Sequence, residues 1–260
     1  YKDLLALYSI GEKKIEEFRI EGEALNVNIK LTSLSKEFDL FLPLTTLEIN
    51  ENELLFDTSF DLPESFGKTM LFSATKRLLT EDNSSAWSLY LEGDDLNLSQ
   101  WLNLTSYEYD RDISGLINLD SWLEFDQDHL QKVTSDVSIV DLKNSADLDT
   151  PISISSRLEF SRNNFGWLAV ADKFQIESED RFTPESRIEI QAYQNNSSNN
   201  LTLDSSISYI DLEDLRILSD WLRVDFLDNI LKYNPKGILR DASLNISNIE
   251  DVSSRYDFST

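Results

Sequence analysis

Residues 113–125, which read Ile-Ser-Gly-Leu-Ile-Asn-Leu-Asp-Ser-Trp-Leu-Glu-Phe, carry the pattern that decides the fold. Most of the odd-numbered positions in this stretch are apolar, namely Ile113, Ile117, Leu119, Leu123 and Phe125. A β-strand turns every second side chain to the same face, so this spacing predicts a long strand with one apolar face.

The same period of two recurs along most of the chain, for example at Leu25, Val27 and Ile29 and again at Ile154, Leu158 and Phe160. Short polar links such as Arg162-Asn163-Asn164 separate the runs and are typical of hairpin connections. Consecutive strands with short links favour an antiparallel meander. We therefore predict a mainly β fold with a few helices, in which the meander forms an elongated, curved sheet or groove.

Helical spacing interrupts the strands at three places: residues 1–10, Ser99–Tyr107 with a cap at Ser99, and Asp211–Lys232. Two blocks of strands each lead into a helix that carries a Trp-Leu pair, at Trp101 and at Trp221. This degenerate repeat predicts a first β block over residues 1–110 and a second over 111–260, which contains the 211–232 helix. The chain begins at Tyr1 inside a helical pattern, so we expect it to be part of a longer protein.

Composition excludes several classes of protein. The 260 residues hold 23 basic and 48 acidic side chains, a net charge of −25, which disfavours nucleic acid as a partner. Cysteine is absent and there is one histidine, so neither a sulfur-based nor a His-rich metal site is expected. No apolar run approaches the ~20 residues that span a bilayer. The seven widely spaced glycines exclude the glycine-rich phosphate loops, and we expect no cofactor.

Acidic clusters and His129 are the remaining candidates for chemistry. Paired carboxylates act as acid and base on glycosides or bind calcium, and the clusters are Glu92 with Asp94 and Asp95, Asp110 with Asp112, and Asp147 with Asp149. In so acidic a chain such clusters arise by chance, and none has the spacing of a calcium-binding loop. His129 falls in an expected turn, where a solvated side chain is the ordinary interpretation.

Four motifs occur in an order that resembles a known family. They are Leu89–Leu102 (LYLEGDDLNLSQWL), Gly115–Leu123 (GLINLDSWL), Phe165-Gly166-Trp167, and Tyr233–Leu244 (YNPKGILRDASL). Together they resemble the AsmA-like family, in its YhdP branch near TamB, and the likeness lies in the N-terminal half of such proteins. The chain departs from the family in its high acidity and low glycine content.

This resemblance implies a periplasmic protein that is anchored to the inner membrane of a Gram-negative bacterium by a segment outside this chain. It also implies movement of glycerophospholipid between the inner and outer membranes along an apolar β-groove, with unknown envelope proteins as further partners. No catalytic residue is implied, so we expect no enzymatic activity, no metal and no cofactor.

A one-sided apolar sheet must be covered by protein or by a ligand, and phospholipid acyl chains suit a greasy trough. The candidate groove residues are Ile113, Ile117, Leu119, Leu123, Phe125, Ile154, Leu158 and Phe160. Two alternatives stay open: a structural or interaction β-domain, such as an adhesin or assembly module, whose filled core binds no lipid, and a carbohydrate-active β-protein with paired carboxylates.

Overall fold

The structure is a computed structural model, and it describes most of the chain. The described residues are 17–31, 36–50, 53–77, 86–103, 113–126, 129–144, 151–163, 165–179, 181–194, 201–213, 232–233 and 236–249. The chain divides into two compact units, Tyr1–Gln131 and Lys132–Thr260. Because the boundary falls inside one strand, it does not test the predicted repeat boundary at residue 110, which stays a prediction.

Unit 1 is an antiparallel meander in which each strand pairs with the next along the chain. Alternating apolar residues form these strands, since every second side chain can leave water on one face only. The elements are β1 (Glu17–Leu31), β2 (Lys36–Asn50), β3 (Glu53–Asp61), β4 (Thr69–Arg77), β5 (Ala86–Asn97), α1 (Leu98–Leu102) and β6 (Ile113–Asp126).

Unit 2 has the same plan, with one extra two-residue strand paired on the side. The strands are β7 (His129–Asn144), β8 (Ile152–Asn163), β9 (Gly166–Ser178), β10 (Arg181–Phe182), β11 (Ser186–Gln194), β12 (Leu201–Asp211) and β13 (Ile238–Ile249). Strand β9 pairs with β8 and β11, and β12 pairs with β11 and β13, all antiparallel. The predicted fold class, a mainly β antiparallel meander, is confirmed.

The predicted helices are only partly covered by the structure. Residues 1–10 and 214–231 lie outside the described part of the chain, although a helical turn starts at Leu212 and Glu213. The second helix is α1, and its cap was predicted wrongly. Asn97 is the N-cap rather than Ser99, because its Oδ1 accepts from Gln100 N at 3.4 Å.

β-Bulges break the strict alternation near one end of several strands. The register of β5 on β6 shifts between Gly93 and Leu96, and that of β7 on β8 shifts between Ile139 and Leu142. Asp95 and Asp141 take φ values of 50° and 52° there. The extra residue returns the next side chain to the apolar face, so Leu96 and Leu142 are 3% and 1% exposed.

The most buried side chains of unit 1 gather at this bulged end, where α1 packs against the turn between β3 and β4. The indole Nε1 of Trp101 donates to the carbonyl of Phe66 at 3.0 Å, and the two rings meet edge to face. Asn97 N donates to the same carbonyl at 2.8 Å. Met70 and Ile113 are 5% exposed. One end of the sheet is therefore closed by protein.

Candidate functional site

Strand register arranges the apolar side chains of unit 1 in rows that run across the sheet. One row joins β2 to β6 through directly paired residues: Leu47, Phe56, Ala74, Leu89 and Leu123. Paired residues share a face in an antiparallel sheet, so this row and those in line with it define the inner face of unit 1. A second row holds Thr45, Thr58, Phe72, Leu91 and Ser121.

Unit 2 has its own inner face, built in the same way. One row joins β7 to β13 through Ser135, Leu158, Ala171, Ile188, Ile207 and Ala242. The next row holds Val133, Phe160, Ala169, Ile190, Ser205 and Leu244. Neither row contains a charged side chain. These two rows of the inner face of unit 2 are therefore apolar and carry a few small hydroxyls.

The opposite face of unit 2 is charged, and it bears ion pairs between neighbouring strands. Arg157 Nη1 lies 3.3 Å from Asp136 Oδ2, and Arg187 Nη1 lies 3.6 Å from Asp172 Oδ1. Arg187 also donates to Glu189 at 3.0 Å, which raises the pKa of its guanidinium. Exposed pairs of this kind contribute little to stability, but they keep this face in water. The sheet of unit 2 is thus amphipathic.

The outer face of unit 1 carries a hydrogen-bonded aromatic cluster among its acids. Tyr90 donates from its hydroxyl to Glu92 Oε2 at 2.7 Å, and Asp120 Oδ1 lies 3.4 Å from that hydroxyl. The hydrogen bond to Glu92, partial burial and the nearby negative charge of Asp120 raise the pKa of Tyr90 above its ordinary value of 10. The ring of Trp122 lies 5.1 Å from that of Tyr90.

The large apolar side chains in the middle of the inner faces are half-buried or exposed. In the Leu47 row, Leu47, Phe56, Leu89 and Leu123 are all of intermediate exposure, and Ala74 alone is buried. In a two-layer β-sandwich such positions are covered by the second sheet. Within each unit the described strands belong to one sheet, and the longest helix of the described residues is the five-residue α1. Among the described residues of each unit, no second layer packs on the inner face of that unit.

The structure places all eight predicted groove residues on an inner face. In unit 1, Ile113 is buried, whereas Ile117, Leu119, Leu123 and Phe125 are half-buried. In unit 2, Ile154 and Phe160 are half-buried, and Leu158 is 42% exposed. The two sets lie in different units and are described separately. Their role in holding lipid stays a prediction.

The alternative chemical sites do not assemble in the described residues. Within them, no group of three or more His, Asp or Glu side chains is placed to hold a metal ion. Glu92 accepts a hydrogen bond from Tyr90, and Asp95 forms an ion pair with Lys68. His129 is the exposed first residue of β7, not part of a turn as predicted. Asp110, Asp112, Asp147 and Asp149 lie outside the described ranges.

The sequence model of the YhdP protein family matches residues 13–260, which is nearly the whole chain. The chain belongs to the YhdP family. Neither the curated proteins nor the solved structures contain a match to it. The predicted family membership is therefore confirmed by the family model alone.

No helix in the described ranges of this YhdP-family chain is long and apolar enough to cross a bilayer.

Sequence reasoning missed one feature of this YhdP-family sheet. Lys76 is in register with Leu54 and Trp87 and therefore lies on the inner face of unit 1. The only signal in the sequence was its position two residues after Ala74, in phase with Met70 and Phe72. A lysine near the end of a strand, at a position where the alternation predicts an apolar residue, is easily assigned to the following loop and ignored.

Proposed function

We propose that this chain is a segment of an envelope protein that shields glycerophospholipid acyl chains on its apolar sheet faces and conducts them between the inner and outer membranes. The observation that carries the proposal is the Leu47 row, in which every residue except Ala74 is half-buried and which no second layer of unit 1 covers in the described residues. Membership of the YhdP family supports the same assignment.

Hydrophobic transfer energies explain why such a face suits lipid. Each methylene removed from water is worth about 0.8 kcal/mol, so a sixteen-carbon chain exposed to water costs on the order of 10 kcal/mol. Half-buried Leu, Ile and Phe side chains offer apolar area without a specific polar anchor. Because apolar contacts are non-directional, an acyl chain is free to slide along them while its head group stays in water.

The surroundings of the protein follow from the same proposal. We place the segment in the periplasm of a Gram-negative bacterium, within a protein anchored to the inner membrane, where phospholipid acyl chains are its partners. Conducting lipid requires no bond to be made or broken, so the segment needs no catalytic group, metal or cofactor. The charged outer face, with pairs such as Arg157 and Asp136, would remain in water.

Site-specific photocrosslinking in living cells tests the proposal. A benzophenone amino acid replaces Leu158, which is 42% exposed on the inner face of unit 2, and the matched control replaces the exposed Glu159 on the other face of the same strand. We expect phospholipid adducts at residue 158 and few at residue 159, detected by mass spectrometry of the purified protein. In unit 1, Leu123 on the inner face and Glu124 on the outer face provide a second test position with its matched control.

Equal labelling at residues 158 and 159, or none at either, would contradict the proposal. Absence of lipid at both positions together with slow hydrogen exchange across the inner face would instead support a structural β-domain with a filled core. That result would indicate that residues outside the described ranges cover the inner face.

A further inference from the structure

Lys76 stands out in the row of unit 1 farthest from the closed end. This rim row consists of Ile49, Leu54, Lys76, Trp87 and Phe125. Each of them lies one residue from the end of its strand. From β3 to β6, and over Thr45–Asn50 of β2, Lys76 is the single charged residue whose register places it on the inner face. A cation at the rim of an apolar surface requires an explanation.

Trp87 supports this cation. The Lys76 Nζ lies 5.0 Å from the centroid of the indole ring, over its face. Both side chains are half-buried. The aliphatic stem of a lysine lies along apolar surface while its ammonium reaches water, and the indole ring fixes the direction in which it reaches. The ammonium is therefore held at the boundary between the apolar rows and solvent.

No carboxylate of the described residues lies within ion-pair distance of Lys76, in a chain with 48 acids and 23 bases. On the outer surfaces the basic residues Arg157 and Arg187 each face at least one carboxylate. Among the described residues, the rim cation therefore has no carboxylate partner. Its complement is an anion attached to an apolar body that fits the rows behind it.

We propose that Lys76, seated on Trp87, binds the phosphate of a glycerophospholipid whose acyl chains lie on the inner face of unit 1. This inference rests on the proposed function and adds a head-group contact to it. The acyl chains would run along the strands from the rim toward the closed end, crossing the Leu47 row and then the Thr45 row, and the phosphate would stop at the rim. The contact sets the position of a lipid along the sheet, whereas the apolar rows alone let it slide.

The test compares two ligands with the same acyl chains in the intact full-length protein. Dioleoyl phosphatidylglycerol carries the phosphate and dioleoylglycerol lacks it, and native mass spectrometry measures how much of each remains bound after detergent exchange. We expect Lys76→Gln to retain phosphatidylglycerol about tenfold less than wild type, the effect of one lost charge-assisted hydrogen bond. Retention of dioleoylglycerol should not change, and Lys76→Arg should restore the difference.

Arg77→Gln is the matched control, because Arg77 is the next residue and its side chain is exposed on the opposite face. It should retain both ligands as wild type does. Equal loss of both ligands in Lys76→Gln, or equal loss of phosphatidylglycerol in Arg77→Gln, would overturn the phosphate contact. If wild type retains neither ligand, the proposed function fails; if it retains both and Lys76→Gln has no effect, only the contact fails.

A second experiment, with inorganic phosphate, distinguishes a site for a lipid head group from a site for a free anion. Binding to the full-length protein is measured by calorimetry in the absence of lipid. Because the acyl chains supply most of the affinity, phosphate alone should bind too weakly to detect. Phosphate binding that is as tight as lipid binding and is abolished in Lys76→Gln would identify a free-anion site instead and contradict the proposal.

Discussion

Gly166 lies against the backbone of Ala192 on the paired strand, so closely that a Cβ at residue 166 would meet the Ala192 carbonyl oxygen at 2.0 Å. Relief of that overlap requires β9 and β11 to move apart, because a backbone atom cannot rotate away. We expect Gly166→Ala to lower the free energy of unfolding by about 3 kcal/mol, at the upper end of the usual cost of overpacking. Urea unfolding followed by circular dichroism measures it.

Gly93→Ala is the matched comparison. A Cβ there would meet the Cδ1 of Leu96 at 2.8 Å, but this atom is the end of a side chain and can shift. We expect a loss of about 1 kcal/mol. A loss for Gly93→Ala that equals or exceeds that of Gly166→Ala would mean that the two strands are not as closely spaced as the structure has them.

Asp141 occupies a left-handed backbone conformation in the bulge of β7, with φ of 52°, and its side chain is exposed. Glycine adopts this conformation without steric cost, whereas a β-branched residue does so poorly. We expect Asp141→Gly to raise the melting temperature slightly and Asp141→Val to lower the free energy of unfolding by about 1–2 kcal/mol. Thermal unfolding of both variants provides the measurement.

Thr134→Val serves as the control for Asp141→Val, since it adds a β-branched apolar residue to the regular part of the same strand. It should be close to neutral, because valine suits strands. If valine were equally tolerated at residues 134 and 141, the bulge would not be present in solution.

The sequence predicted the strands well wherever the period of two is unbroken. The run 113–125 matches β6, which spans Ile113–Asp126, and the predicted hairpin at Arg162–Asn164 is closed by Asn163 Oδ1, which accepts from the nitrogens of Phe165 and Gly166. The bulges could not be found in this way. Gly93 and Leu96 are three residues apart, so a strict period places them on opposite faces, and only pairing with β6 reveals that they share one.

The apolar part of the candidate site was also predictable, because burial and alternation are properties of single strands. Lys76 was not, since its significance depends on neighbours that are remote in sequence. Trp87 is eleven residues away in sequence, and only strand register brings its ring beside the Lys76 ammonium. Charge complementarity in a sheet is a cross-strand property, which a pattern along one strand does not contain.

Tyr90 should resist ionisation at alkaline pH, because its hydroxyl donates to Glu92 beside the negative charge of Asp120, and its pKa is raised. In a titration from neutral pH to about pH 11, ordinary tyrosines with a pKa near 10 become mostly ionised. Over this range wild type and Tyr90→Phe should show the same rise in absorbance at 295 nm, because Tyr90 stays protonated. In Glu92→Gln/Asp120→Asn, the pKa should fall toward 10 and the rise should become larger.

The same shift links this tyrosine to stability. The folded protein holds the Tyr90 proton more tightly than the unfolded chain, so the contribution to stability is complete below pH 10 and is lost as the pH rises further. The difference in unfolding free energy between wild type and Tyr90→Phe should therefore narrow between pH 9 and about pH 11. A difference that widens over this interval would contradict the raised pKa.

Leu158 and Leu71 have nearly the same exposure, 42% and 41%, but register places Leu158 on the inner face of unit 2 and Leu71 on the outer face of unit 1. Replacing either by aspartate should cost similar, modest stability, since each side chain is already largely in water. A charge on the inner face must be desolvated wherever an acyl chain covers it, so Leu158→Asp should retain several-fold less phospholipid than wild type. Leu71→Asp should retain the wild-type amount. Lipid extracted from equal masses of each purified variant and quantified by mass spectrometry decides between them. Equal retention in the two variants would mean that lipid does not lie on the face that carries Leu158.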